Sequence, residues 1–261
     1  MPQFEHYIGI DYSGAETPTS SLSGSRVYAA DWLLEPEEVP PPSSPRKYWT
    51  RPGIAEWLRD ELSKSKPTIV GIDHGFSFPM RYFETHRLPP DWPKFLDDFQ
   101  RHWPTDEDNT YVDFVREGVR GKGSKRAGEP TWLRLTESWT PSAKSGFLFD
   151  VQGSVAKSTH AGLPWLRFLR EQCRDRVHFW PFDGLEIPPG PSVVAEVYPS
   201  LWTRRFANGD GRNADQQAAY AAAAWLRRAD MNGSLMRFFN PPLEPRERTI
   251  AKVEGWILGV A

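Results

Sequence analysis

At 261 residues the chain is long enough for one large domain or two small ones with a substantial core. Its 32 basic and 34 acidic residues leave a net charge of −2, which excludes a general electrostatic footprint for nucleic acid; such binding would need a local patch. The single cysteine, Cys173, excludes an internal disulfide and fits a reducing compartment.

The first strand is expected over residues 5–11, entered by about His6 with no charged-then-apolar leader before it. Neither secretion nor a membrane span is therefore expected, and the setting reads as cytoplasmic. Arg26–Ala30 reads as a second strand, joined to the first by the polar stretch Gly14–Ser25. Glu35–Pro45, rich in Pro and Glu, reads as an exposed connection, and Lys47–Trp49 as a short third strand. Pro52 opens a helix with Ile54, Trp57, Leu58 and Leu62 at helical spacing. Residues 67–73 form the fourth strand, an apolar run typical of a buried position.

From Phe78 to about Ser154 Pro, Trp and charged residues dominate, with helical pieces near 91–102 and 108–117. Arg116, Arg120, Lys122, Lys125 and Arg126 lie among three glycines, so the segment reads as an insertion carrying a mobile basic loop. Segment 104–130 is expected to be exposed. Beyond it, Leu163–Cys173 reads as helix, Val177–Trp180 as a short strand and Ser192–Tyr198 as a buried strand. Asn213–Asp230 reads as an Ala-rich helix and Arg246–Val260 as the last one. The heavy aromatic content is expected to pack in the core rather than stack on bases.

Four acids stand where their surroundings should exclude them. Ile8-Gly9-Ile10-Asp11 and Val70-Gly71-Ile72-Asp73 are twin apolar runs that end in a carboxylate and break into glycine-bearing turns. Two such aspartates on neighbouring strands would build a carboxylate site at one edge of a sheet. Glu196, inside Val193-Val194-Ala195-Glu196-Val197, would cost several kcal/mol unless paired or bound to metal. Asp215 begins the Ala-rich helix. Such an all-oxygen cluster suits Mg²⁺ or Mn²⁺ better than zinc, and two ions about 4 Å apart serve in-line attack at a phosphodiester. Each acid also has a structural reading: Asp11 and Asp73 as turn caps, Glu196 paired with a buried Arg or Lys, Asp215 as a helix-start acid. Glu254 reads as a salt-bridge residue at the rim of the core or a further member of the site. His74 and Lys157 are weaker candidates for proton transfer or phosphate contact.

These motifs, in order, resemble a family. Gly9-Ile10-Asp11, Gly71-Ile72-Asp73 with Phe76-Ser77-Phe78-Pro79, Ala195-Glu196-Val197-Tyr198-Pro199, Asp215 with its helix, and Glu254-Gly255-Trp256-Ile257-Leu258-Gly259 look like the predicted ribonuclease H-like nucleases of domain-of-unknown-function family 429. The resemblance implies a single domain over 1–261, interrupted by an insertion at about 80–150. It implies an α/β ribonuclease H-like fold: a mixed five-stranded sheet of order 3-2-1-4-5 flanked by helices. It further implies a metal site with Asp11 and Asp73 as central ligands and Glu196 and Asp215 in support. The family often carries a second acid three residues after Asp215, a position occupied here by Ala218.

The leading expectation is a metal-dependent hydrolase, a nuclease cutting DNA or RNA phosphodiesters with carboxylate-bound Mg²⁺ or Mn²⁺ and Asp11, Asp73, Glu196 and Asp215 as catalytic ligands. One alternative is a non-catalytic scaffold or binding protein on the same fold, to which Ala218 and the near-neutral charge point. Another is an ATP-dependent phosphotransferase of the actin and sugar-kinase type, with the turns after Asp11 and Asp73 as phosphate loops. No later adenosine-phosphate loop and no Walker-type sequence accompanies that reading.

Overall fold

The structure is a computed structural model describing residues 2–42, 46–208 and 211–261. Strands β1 (His6–Asp11), β2 (Arg26–Asp31) and β3 (Glu37–Glu38) form an antiparallel meander. Strands β4 (Thr68–Asp73), β5 (Val177–Trp180) and β6 (Ser192–Glu196) extend it in parallel from β1. The mixed six-stranded sheet has the order β3-β2-β1-β4-β6-β5 and is flanked by helices. It has one strand more than the five that the resemblance implies, with β6 between β4 and β5.

The third strand is also elsewhere than expected. It is Glu37–Glu38, in the Pro- and Glu-rich connection, held by backbone pairing to Tyr28 and Ala29. Residues 47–49 form no strand, and the Trp49 indole instead donates to the Val39 carbonyl. Helix α1 (Arg51–Glu61) begins with Pro52 in its first turn, and the Thr50 hydroxyl caps it at Gly53 N.

The insertion holds helices α2 (Met80–His86), α3 (Trp92–His102), α4 (Val112–Arg116) and α5 (Leu135–Trp139). It carries its own aromatic core. Phe78, Phe99, Trp103 and Phe147 pack with His160, and this cluster is continuous with the apolar face of β1 and β4. The aromatic residues are therefore largely core, as their composition suggested.

Helix α6 (Ala156–Cys173) starts seven residues before the expected Leu163 and has Pro164 inside it. A proline inside a helix leaves the carbonyl four residues back without a partner. Here that carbonyl, His160 O, accepts from the Thr105 hydroxyl at 2.6 Å, so the helix runs through.

On the opposite face α7 (Ala214–Met231) lies directly on the sheet. A Cβ on Gly9 would come within 2.3 Å of Ala219 O and 2.5 Å of Ala223 N. Gly9 and the alanines of α7 are thus one feature, a helix backbone in contact with a strand backbone, while its register partner Gly71 makes room for the Val197 and Leu226 side chains. After α8 (Leu235–Phe238), α9 (Pro245–Glu254) ends at Gly255, whose φ of +82° stops it short of the expected Val260. The chain then returns to the sheet, with Leu258 N donating to Glu196 O at 2.9 Å.

Candidate functional site

Asp11 and Asp73 are register partners at the ends of adjacent parallel strands. Neighbouring strands run about 4.8 Å apart, so the two carboxylates leave the sheet side by side. The strand alternation puts them on the face of Gly9 and Gly71, the side covered by α7. Both are half-buried. Burial, then the charges of Asp73 and Asp215, raises the Asp11 pKa well above the ordinary carboxylate range, against the Tyr12 N–H and Arg26. Burial, then Glu196, raises Asp73 to about 7. Neither carboxylate has an ion-pair partner among the described residues.

Asp215 joins this face. The cap of α7 is not Asp215 but Asn213, which bonds Gln216 N while the Gln216 side chain bonds back to Asn213 N. Asp215 Oδ2 lies beside Gly24, 3.8 Å from where a Cβ would stand, and its charge reaches Asp11. The structure thus brings Asp11, Asp73 and Asp215 to one edge.

Glu196 is held differently. Its register partner is Ile72, so it points to the opposite face. There the Arg134 guanidinium takes both carboxylate oxygens at 2.6 and 2.7 Å, and Phe76 N donates a third bond at 3.0 Å. Arg134 also binds Glu137 at 2.8 Å, and all three side chains are buried. Of the alternatives open from the sequence, the structure has the ion pair. The cation comes from the insertion, 62 residues away, where no periodicity marks it.

Glu254 accepts from Met80 N at 2.5 Å and Leu135 N at 2.6 Å, so one carboxylate caps the starts of α2 and α5. His74 is buried with Nδ1 2.9 Å from Gly75 O, and burial lowers it to about 4, so its ring is neutral. Lys157 pairs with Asp113 at 2.6 Å.

The basic loop is partly neutralised. Arg116 pairs with Asp150 at 2.9 Å and Arg126 with Asp98 at 2.6 Å, while Arg120 bonds Thr110 and the Asp108 carbonyl. Residues 117–122 are exposed as expected, but segment 104–130 also contributes buried Val112, Val115 and Gly123. Closer to the acids is a residue that sequence reading passed over. Lys144 lines a cleft of about 40 Å³ together with Asp73, Arg134, Glu196 and Tyr198. Its ammonium donates to the Gln152 carbonyl at 2.7 Å and meets no carboxylate among the described residues. Arg51, also missed, is buried and donates to the Ser13, Ala15 and Glu16 carbonyls, which pins the loop leaving Asp11.

Among the described residues no group of three or more His, Cys, Asp or Glu side chains is gathered to hold a metal ion. The donors that fit a cation are the Asp11 and Asp73 carboxylates: hard oxygens, side by side and in no ion pair among the described residues. Two carboxylates suit Mg²⁺, which keeps several of its own waters and seldom takes an all-protein cage. Glu196, with both oxygens engaged by Arg134, does not belong to that set. No helix among the described residues is long and apolar enough to cross a membrane. No family model, no curated protein and no solved structure matches this chain.

Proposed function

We propose that this protein is a metal-dependent nuclease of ribonuclease H-like fold, acting on nucleic-acid phosphodiesters through one Mg²⁺ or Mn²⁺ at Asp11 and Asp73. The observation that carries the reading is the adjacent pair itself. Two half-buried carboxylates on neighbouring strands, each with a raised pKa and neither in an ion pair among the described residues, form a site that a divalent ion would stabilise. The resemblance of the ordered motifs supports the same choice.

Asp11 and Asp73 would hold the ion, and Asp215, whose charge reaches Asp11, would help orient a water there. A bound ion of this kind lowers the pKa of its water and offsets charge on a phosphoryl oxygen. Lys144 contacts a substrate phosphate at the mouth of the cleft. Arg51 keeps the turn after Asp11 in place. Glu196, the fourth acid of the sequence, keeps Arg134 and the insertion seated against the sheet.

A non-catalytic binding protein on the same fold is a second reading. It is favoured by the closure of Arg134 on Glu196 and by Ala218 where a further acid would complete a two-ion site. Incubating the purified protein with single-stranded and structured DNA and RNA separates the two. The nuclease reading expects cutting only with Mg²⁺ or Mn²⁺, abolished by Asp11→Asn, whose neutral amide cannot offset the ion's charge. Binding without cutting under any metal favours the second.

A further inference from the structure

Trp32, Leu33 and Leu34 form the turn between β2 and β3, where they are 44, 89 and 59 % exposed. One exposed apolar residue is ordinary, but three in succession on an ordered turn point to a covering partner. The turn is held from two sides. The Asp31 carboxylate accepts from Leu33 N at 2.8 Å and from Leu34 N at 2.9 Å. Arg227, on α7, donates to the Asp31 carbonyl at 2.8 Å, the Trp32 carbonyl at 3.0 Å and the Glu35 carboxylate at 2.7 Å. The Trp32 indole bonds Phe4 O, and Pro36 is buried. The leucines are thus presented outward in a fixed geometry, so little ordering entropy opposes their burial.

Beside the turn lies an open hollow of about 590 Å³. Phe206, Ala224 and half-exposed Met231 give it apolar surface. Glu35 and Arg227, which hold the turn, also line the hollow, so the apolar knob and the hollow are neighbours. Successive helix residues point about 100° apart, so Arg228 is directed away from the turn that Arg227 grips. It lines the hollow, is exposed and has no ion pair among the described residues. Glu35 meets Arg227 through Oε1 alone, and its side chain stays 68 % exposed. The hollow is therefore acidic towards the turn and basic on its far side.

A two-fold axis through this face lays the acidic side of one copy on the basic side of the other, and does so twice. The same rotation sets the leucines of each copy over the hollow of the other. We propose that this face is the interface of a symmetric homodimer, with Leu33 and Leu34 of each copy seated in the hollow of its partner and Glu35 paired across the axis with Arg228. An anionic lipid surface fits worse, because Asp31, Glu35 and Glu37 border the turn. Register pairs His6 with Asp31 and Asp11 with Arg26, so the turn and the acidic pair lie at opposite ends of β1. The dimer leaves the Asp11–Asp73 edge open.

Sedimentation equilibrium of the full chain measures the contact. The parent is expected to reach twice the mass of one chain by about 100 µM. Leu33→Asp, at an exposed position, should weaken association about tenfold or more. Glu35→Lys alone and Arg228→Glu alone each set two like-charge pairs across the axis and should do the same. In Glu35→Lys, Arg227 keeps its bonds to the Asp31 and Trp32 carbonyls, so the turn stays in place. An equimolar mixture of these two variants should dimerise again, because each copy then meets an opposite charge at both contacts. Circular dichroism of each variant should match the parent's. A parent that stays monomeric, with or without binding to anionic vesicles, overturns the proposal. So does a dimer that Leu33→Asp leaves intact, or a mixture that stays monomeric.

Discussion

Arg134 closes on Glu196 with both terminal nitrogens, at 2.6 and 2.7 Å, in a buried position on the face of the sheet opposite Asp11 and Asp73. This pair joins an insertion residue to the end of β6, and Glu137 shares the same guanidinium. Removing the cation would leave two buried carboxylates without their counter-charge. Arg134→Met is expected to cost about 3–5 kcal/mol in urea unfolding. Adding Glu196→Gln to it should recover part of the loss. A near-neutral Arg134→Met would contradict the structural role given to the pair.

Glu196→Gln should lower stability yet leave Mn²⁺ affinity close to that of the parent, because Arg134 and Phe76 N already occupy its oxygens. Isothermal titration with Mn²⁺ checks this. A large loss of affinity would return Glu196 to the ligand set.

The acidic pair makes stability depend on pH in a set direction. Asp73 titrates at about 7 in the fold, raised from 3.8, so the folded chain holds this proton more tightly than the unfolded one. The corresponding stabilisation is present below about pH 4 and is lost as pH rises through 7. Asp11, shifted the same way, adds to the loss. Metal-free protein should therefore show a falling Tm across that window, Asp73→Asn should flatten the fall, and Mn²⁺ should offset it at neutral pH.

Much of this arrangement was legible in the chain because local pattern and environment agree there. The apolar run Thr68–Asp73 and its twin at Ile8–Asp11 marked both strands and both acids, and the alanines after Asp215 marked a helix able to lie on Gly9. What escaped depends on distant partners. Arg134 lies in a stretch with no clear period, 62 residues from Glu196. The strand Glu37–Glu38 pairs with β2 and is tied by Glu38 to Arg26 and Gln216, in a segment whose prolines argued for a loop. The helix read from Leu163 begins earlier, at Ala156, because the Thr105 hydroxyl, remote in sequence, supplies the bond that Pro164 denies His160 O. The basic run at 116–126 read as a mobile basic loop, but Asp98 and Asp150, remote in sequence, hold two of its arginines.

Glu254 should behave as a cap rather than a ligand. Glu254→Ala removes the acceptor for both Met80 N and Leu135 N. Each lost cap is worth about 0.5–2 kcal/mol, so chemical denaturation should show a loss in the upper part of that range or beyond it. Mn²⁺ affinity should stay unchanged.

If nucleic acid binds at the cleft, Lys144 rather than Arg116 or Arg126 should meet the phosphate. Lys144→Ala is expected to lower the slope of log affinity against log salt by about one. Arg116→Ala should change it little, since its charge already faces Asp150 and Asp113. The reverse ranking would move the interface to the 116–126 loop.

The account stands most directly on whether Asp11 and Asp73 share a cation, and anomalous diffraction from a crystal soaked in Mn²⁺ measures it. The expected result is one Mn²⁺ with an oxygen from each of Asp11 and Asp73 at about 2.1 Å, and no ion on Glu196. Crystals saturated with Mn²⁺ that show no peak between the two aspartates, or a peak bound by Glu196, would contradict it.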